Sequence, residues 1–306
     1  MSPGSRARRA AISSAVPEGD TIHRTAVVLR RVLAGQIVTG FETLHPKTTQ
    51  AARDEQIVGS TIIRVESNGK HLFIHFSTPS EVVLHTHMKM SGIWHMYRPG
   101  ERWWEPESEA RVVIRTATVV APCFHPPIVE LLTAKELGLH PIVSALGPDI
   151  IRDEFDMDEA LRRLRALQDR DVATALLDQK VISGIGNVFK VEALFLAKTS
   201  PWAQVRELDD EKLREIVGHA RRLIRLNRDG GQRRTHFSLK HDELMWVDER
   251  AGFPCYECGT TIEQGWHPGD DIRKSWYCPK CQGVDRATLA RPAPTPRFPR
   301  RHAPLR

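Results

Sequence analysis

Hydrophobic positions along the chain fall into three regimes. Ile22, Ala26, Leu29 and Leu33 recur at helical spacing behind Asp20 as N-cap and ahead of Gly35 as a stop, which predicts a helix from about 20 to 34. From there to about residue 135 the pattern is period two and rich in β-branched residues, in "IVTGFETL", "STIIRVESNGKHLFIHF", "EVVLHTHM" and "ARVVIRTATVV". That predicts an all-β domain packed by one helix. Within it, Asn68-Gly69 lies between two strand patterns and predicts a type I′ hairpin turn with Lys70 at its mouth. "LGPDI", 146–150, closes the β domain with Gly-Pro linker chemistry. Helical spacing then returns in "DMDEALRRLRALQ", "DVATALLDQ", "VFKVEALFLA" and "DDEKLREIVGHARRLIRLN". "RDGGQRRT" breaks it ahead of a short cysteine-bearing module.

The resulting expectation is a multidomain α+β chain: a β domain over 17–150, a helical bundle over 151–229 and a small module over 230–283. Residues 1–16 and 284–306 read as tails. The second is Pro- and Arg-rich without apolar periodicity, so both are expected to be disordered.

Composition changes this picture little: 41% hydrophobic and 27% charged residues are ordinary for a soluble globular protein. No apolar run approaches the roughly 18 residues a membrane helix needs, and no signal-peptide segment is evident, so a cytoplasmic chain is expected. Charge is more informative. The formal +6 resides in the tails, which carry nine arginines against one aspartate and leave 17–283 at a net −2. A polyanion partner would therefore meet a local patch on the body.

Cys255-x2-Cys258 and Cys278-x2-Cys281, separated by 19 residues, can present four thiolates to one Zn²⁺. With no open coordination position, such a site is structural. Cys123, alone in "APCFHPP", reads as an inert thiol. In "DDIRKSWYC" Arg273 falls on what should be a β-hairpin of the finger, well placed to touch phosphate. "LLDQKVISGIGNVFKVEAL" puts Gly184-Ile185-Gly186-Asn187 between two helices. The glycines can expose N–H groups that hold a phosphate at a helix N-terminus, with Asn187 capping that helix or donating its amide; a plain helix-turn-helix corner reads equally well.

In order, "PEGDT", "NGKHLFIHF", "HTHMKMSGIW", "LGPD", "LLDQKVISGIGNVFKVEALF" and "CYEC…IRKSWYCPKCQ" make the chain resemble the formamidopyrimidine-DNA glycosylase and endonuclease VIII family from Pro17 to Gln282. The resemblance implies an N-terminal helix plus β-sandwich, a helix-two-turns-helix domain and a β-hairpin zinc finger, with DNA in the cleft between. It implies an N-terminal proline nucleophile, here Pro17, and a neighbouring acid, Glu18, that protonates the sugar ring oxygen. Lys70 falls on the family's phosphate-contacting lysine, assigned as proton donor in β-elimination. Arg273 falls on the finger arginine of phosphate binding and δ-elimination, and Asn187 on the asparagine that grips phosphate. Met90 matches the residue inserted where the damaged base leaves the stack, with Lys89 and Ser91 beside it; a buried strand methionine is the plainer alternative. The implied partner is damaged DNA, double-stranded or with single-stranded and bubble forms as options, bound by a monomer that joins the nucleoid through its DNA.

The sequence also departs from the formamidopyrimidine branch. It begins "PEGDT" rather than "PELPE", reads "APCFHPPIVELL" where that branch carries an "RRFG" wedge, and has a short segment from Gly231 to Cys255. These favour the endonuclease VIII branch and oxidised pyrimidines, with 8-oxoguanine and formamidopyrimidines as the alternative. Pro17 is moreover internal as written, and a tertiary amide nitrogen is no nucleophile. The expectation is that translation starts at Val16, decoded as Met and then removed. Retention of residues 1–16 would instead leave a catalytically masked damaged-DNA-binding protein.

Overall fold

The computed structural model describes residues 17–44, 46–238, 243–267 and 273–285. Val16 with the rest of the leading extension, and the tail from 286, lie outside the described residues.

Helix α1 (Gly19–Leu33) buries Ile22, Ala26, Leu29 and Leu33, the face its spacing predicts, and Gly35 beyond it adopts φ +80°. Its N-cap is Glu18 rather than Asp20. Asp20 sits inside the first turn, turned toward a partner 213 residues away. The stripe joins a core shared by two four-stranded antiparallel sheets. One runs β1 (Gly40–Thr43), β6 (Ala110–Arg115), β7 (Val120–Phe124), β5 (Ile93–Trp94); the other runs β2 (Ile62–Asn68), β3 (His71–Phe76), β4 (Val82–His87), β8 (Ile128–Thr133). Leu72, Ile74 and Phe76 of β3 and Val82 and Leu84 of β4 fill one core with the α1 stripe, as period two requires.

Two short helices interrupt this β domain. α2 (Pro46–Asp54) starts on a proline, whose missing N–H costs nothing at the first helical position, and α3 (Ala134–Gly138) starts from a capping box of Thr133 and Glu136. Both are too short and too polar to show in an apolar pattern.

The β2–β3 hairpin also differs in register from its expected turn. Asn68 pairs with His71, so the two loop residues are Gly69 and Lys70. Only Gly69 of these has positive φ, at +57°, which is the φ pattern of a type II′ turn. Lys70 thus occupies the hairpin tip.

A second core gathers α4 (Met157–Arg165), α5 (Val172–Leu177), α6 (Asn187–Leu196) and α7 (Asp210–Leu226), including Leu161, Leu176, Phe189 and Ile216. Helix α6 is apolar almost all round because it serves two cores. Its Val191 and Phe195 pack against Val247, Ile262 and Cys278 beside the hairpin of β9 (Glu263–His267) and β10 (Arg273–Tyr277). No described helix is long and apolar enough to cross a membrane.

Candidate active site

The segment Pro17-Glu18-Gly19 leads into α1 and threads against the turn before α6. Gly19 N–H donates to the Gly184 carbonyl at 2.9 Å. The fully buried Glu18 carboxylate accepts from Gly186 N–H (3.0 Å), Val188 N–H (2.8 Å) and Phe189 N–H (3.4 Å), three orphan donors at the N-terminus of α6.

The glycines of "SGIGN" and "PEGD" are explained by this interlock. A Cβ on Gly186 would lie 2.2 Å from Glu18 Cδ, and one on Gly19 would lie 2.9 Å from the Gly184 oxygen. The N–H groups expected to hold a phosphate at the α6 N-terminus are instead taken by a carboxyl of the same chain. Burial raises the Glu18 pKa, against the lowering pull of Arg233 and then Lys70. A carboxyl held protonated above its ordinary range is suited to donate a proton.

The hairpin tip docks on the same turn. Gly69 N–H donates to Asp149 Oδ2 at 3.0 Å, and a Cβ on Gly69 would lie 2.7 Å from Ser183 Cβ. Lys70 is held within electrostatic reach of Glu18. Asn187 is the first residue of α6, whose N-cap is Gly186, so it does not cap. Its Oδ1 accepts from the ammonium of fully buried Lys190 at 2.8 Å, and that ammonium also donates to the Lys274 carbonyl at 3.2 Å. This orients the Asn187 amide and ties α6 to the residue that follows Arg273. The Arg273 backbone opens β10, and its side chain lies outside the described residues.

Lys89 has φ +44° and Met90 is 72% exposed, whereas the buried methionine of this stretch is Met88, the residue just after β4. Ser91 Oγ donates to the His125 carbonyl at 3.1 Å and braces this loop. Pro17, Glu18, Lys70 and the Asn187 turn are thus brought together, with Met90 on a separate exposed loop.

Three residues here escaped the sequence reading. Arg233 reaches back to Asp20 in a buried bidentate pair, Nε to Oδ2 at 2.9 Å and Nη2 to Oδ1 at 2.6 Å, and adds a bond to Thr21 Oγ1. Arg24 donates to the Gly231 carbonyl at 2.8 Å, so "RDGGQRRT" is fastened to α1. Glu192 of α6, fully buried, accepts from the N–H groups of Trp246, Val247 and Asp248 at 2.7–2.8 Å and so organises the approach to the cysteine module. The doubled Arg233-Arg234 after a glycine pair and the charged residues inside apolar α6 were the only local signals.

Asp248 has a fully buried Oδ1 that makes no hydrogen bond within the described protein. Burial first, then Glu192 and Glu18, push its carboxyl from the ordinary 3.8 to about 8. Between these values the unfolded chain ionises while the folded one stays protonated, so this group's stability contribution, present below about 4, drains away as pH rises toward about 8. Asp248→Asn is expected to unfold at higher temperature than the parent, by a margin that widens from about pH 5 to about pH 8, as thermal melts across that range would show.

Cys255, Cys258, Cys278 and Cys281 bring four sulfurs within 4.8 Å of one another, with Cys258 and Cys278 Sγ 3.4 Å apart and Cys255 and Cys281 Sγ 3.9 Å apart. These are too long for disulfides and close to the roughly 3.8 Å edge of a tetrahedron of sulfurs about 2.3 Å from one ion. The cluster can hold a metal. Cys123 is buried, and burial raises its thiol pKa, which keeps it inert.

Comparison with known proteins identifies the family of the chain. Residues 16–125 match the model of the formamidopyrimidine-DNA glycosylase N-terminal domain, and residues 146–236 that of the formamidopyrimidine-DNA glycosylase H2TH domain. The chain is 35% identical to "Probable endonuclease 8 2" of Streptomyces coelicolor over 92% of its own length and 96% of the relative's. It is 36% identical to "Endonuclease 8 2" of Mycobacterium tuberculosis, covering 87% of this chain and 100% of the other. It is also 36% identical to a DNA-(apurinic or apyrimidinic site) lyase of Mycolicibacterium smegmatis, over 87% and 99%. The Lactococcus lactis enzyme bound to abasic-site DNA superposes with a TM-score of 0.73 at 20% identity, over 88% of this chain and 100% of that one, which shows a shared fold. By both family domains in order and by identity along nearly its whole length, the chain belongs to the formamidopyrimidine-DNA glycosylase and endonuclease VIII family.

Proposed function

We propose that this protein is a base-excision repair DNA glycosylase with AP lyase activity, acting on oxidised pyrimidines in duplex DNA through the amine of Pro17. The observation that carries the proposal is Glu18: a fully buried carboxyl with raised pKa, fixed on the α6 N-terminus one residue after Pro17.

In this reading the Pro17 amine attacks C1′ of the damaged nucleotide while Glu18 protonates the sugar ring oxygen, and the C1′–base bond breaks. The resulting iminium acidifies the C2′ proton, whose loss expels the 3′-phosphate. Lys70 contacts phosphate and donates a proton in that β-elimination, and Arg273 serves phosphate binding and δ-elimination. Asn187 grips the backbone, and Met90 with Lys89 fills the gap left by the flipped nucleotide. The four cysteines hold one Zn²⁺, which cross-links the β9–β10 hairpin and so supports Arg273.

Single-turnover excision by the chain beginning at Pro17 tests the lesion class. Duplexes carrying 5-hydroxycytosine or dihydrouracil are expected to be cut faster than 8-oxoguanine opposite cytosine. The reverse order would place the protein with the purine-directed enzymes. Binding to both without excision or borohydride trapping would leave a damaged-DNA-binding protein.

A further inference from the structure

Helix α7 carries two stripes. One faces the bundle core through residues such as Leu213, Ile216 and Leu223. The other is Gly218, Arg221, Arg222, Arg225 and Leu226, spaced i, i+3, i+4, i+7 and i+8 along one side of the helix. With Met157 of α4 and Arg228 it lines a groove of about 440 Å³. The reaction above uses none of these residues.

Charge in the groove is unbalanced. Asp153 Oδ1 accepts from Arg225 Nη2 at 2.5 Å and from Arg228 Nη1 at 3.4 Å, and Asp229 lies 3.5 Å from Arg228 Nε. Four guanidiniums therefore line the groove and two carboxylates pair with them, while Arg222 forms no ion pair among the described residues. Arg221 is fixed in place. Its Nη2 donates to the carbonyls of Arg152 (3.1 Å) and Asp153 (2.9 Å), and its Cζ stands 5.5 Å from the centre of the Phe155 ring. Its Nε is buried and meets no acceptor among the described residues. Burial first and then Arg225 lower the Arg221 pKa against the pull of Asp153, the direction that held-together like charges produce. The dipole of α7 favours a cation in its last turn, where Arg225 stands, and does not account for Arg221 and Arg222 before it. Gly218 is an independent sign. Glycine inside a helix is unfavourable relative to alanine, yet a Cβ here would meet nothing within 4 Å, so no neighbour requires the bare backbone. Its effect is to keep the groove open beside the arginines three and four residues on.

We propose that the α7 groove is a second phosphate-binding site, in which Arg222 and Arg225 contact a run of phosphate groups and the fixed Arg221 adds its charge. Planar guanidiniums pair with phosphate oxygens through two parallel N–H bonds, and neighbours at i and i+3 on one helix side reach successive groups. Arg225 gives only Nη2 to Asp153, which leaves Nε and Nη1 to the anion. The body from 17 to 283 carries a net −2, so a polyanion is drawn to it only at a local patch of this kind. A DNA backbone beyond the reaction centre and a free oligophosphate both offer the chemistry the groove selects.

Thermal melts of the 306-residue chain with sodium tripolyphosphate test this. The parent's melting temperature is expected to rise by several degrees once the probe exceeds its dissociation constant about a hundredfold. Arg222→Gln/Arg225→Gln is expected to lose that rise. Gly218→Gln keeps every charge but fills the groove, and it should lose the rise too while melting no lower than the parent without probe, which separates loss of the site from misfolding. The salt dependence of binding to an undamaged duplex then tells the two sources apart. A slope smaller by about two in the double variant assigns the groove to the DNA backbone, and an unchanged slope assigns it to a free oligophosphate. A parent that tripolyphosphate does not stabilise, or a rise that either variant retains, would overturn the proposal. Neither readout uses excision, so the outcome is independent of the lyase reading.

Discussion

A chain that begins at Pro17 is expected to become covalently linked to abasic-site DNA under borohydride, and the 306-residue chain is expected not to. The difference is all-or-none because it turns on one nitrogen. Within a peptide bond the lone pair of a proline nitrogen is delocalised into the preceding carbonyl, and no proton is left to lose. Freed as a terminus, it is an α-amine titrating near 7.7–8.0. At neutral pH it is unprotonated roughly a few hundredfold more often than a lysine near 10.4. The immediate surroundings of that position are in place: Glu18 is seated on α6, and Gly19 is bonded to Gly184. Val16 stands where a removable initiator would precede the nucleophile. Intact-mass measurement on protein from its native host is expected to give a chain starting at Pro17. An untrimmed chain starting at Met1 that still traps would require another nucleophile.

The features legible in the sequence were those in which chemistry and spacing are local. The α1 stripe, the paired Cys-x2-Cys motifs and the glycine-flanked turn before Asn187 each declare themselves within about twenty residues. What stayed hidden depended on contacts across the chain. The bare backbone at Gly186 reads in the sequence as either a phosphate cradle or a plain corner between helices. What approaches it is the Glu18 carboxyl, 168 residues earlier, and no periodicity connects the two. Asn68-Gly69 marked a hairpin but not its register. The turn falls one residue later, where Gly69 fits against Ser183 and bonds Asp149, a carboxylate 80 residues away. Asp20 looked like an N-cap because a cap is the local use of aspartate before a helix. Its partner Arg233 lies in a segment whose glycines suggested only a linker.

That pairing sets the largest stability effect expected here. Asp20 has no exposed side-chain surface and Arg233 has 4%, so Arg233→Met leaves a carboxylate beside the buried Glu18 with the Thr21 hydroxyl at 3.3 Å and, as its remaining cation among the described residues, Arg24 at 3.4 Å. Breaking such a pair typically costs about 3–5 kcal/mol, whereas replacing both partners by apolar groups is often near neutral. Denaturant unfolding is therefore expected to show a large loss for Arg233→Met and recovery of most of it in Asp20→Leu/Arg233→Met. Additive losses would mean that the two residues stabilise the fold separately. The pH dependence carries a second signature. Arg233 is the strongest of the charges that pull the Glu18 pKa down against burial, so its removal lets that pKa rise further. A carboxyl raised above its ordinary value stabilises the fold fully at acid pH and loses that contribution as pH climbs through the folded value. The Arg233→Met deficit is accordingly expected to grow from acid toward neutral pH. If Glu18 is the proton donor, whatever excision survives is expected to persist to higher pH than in the parent, because the protonated acid does.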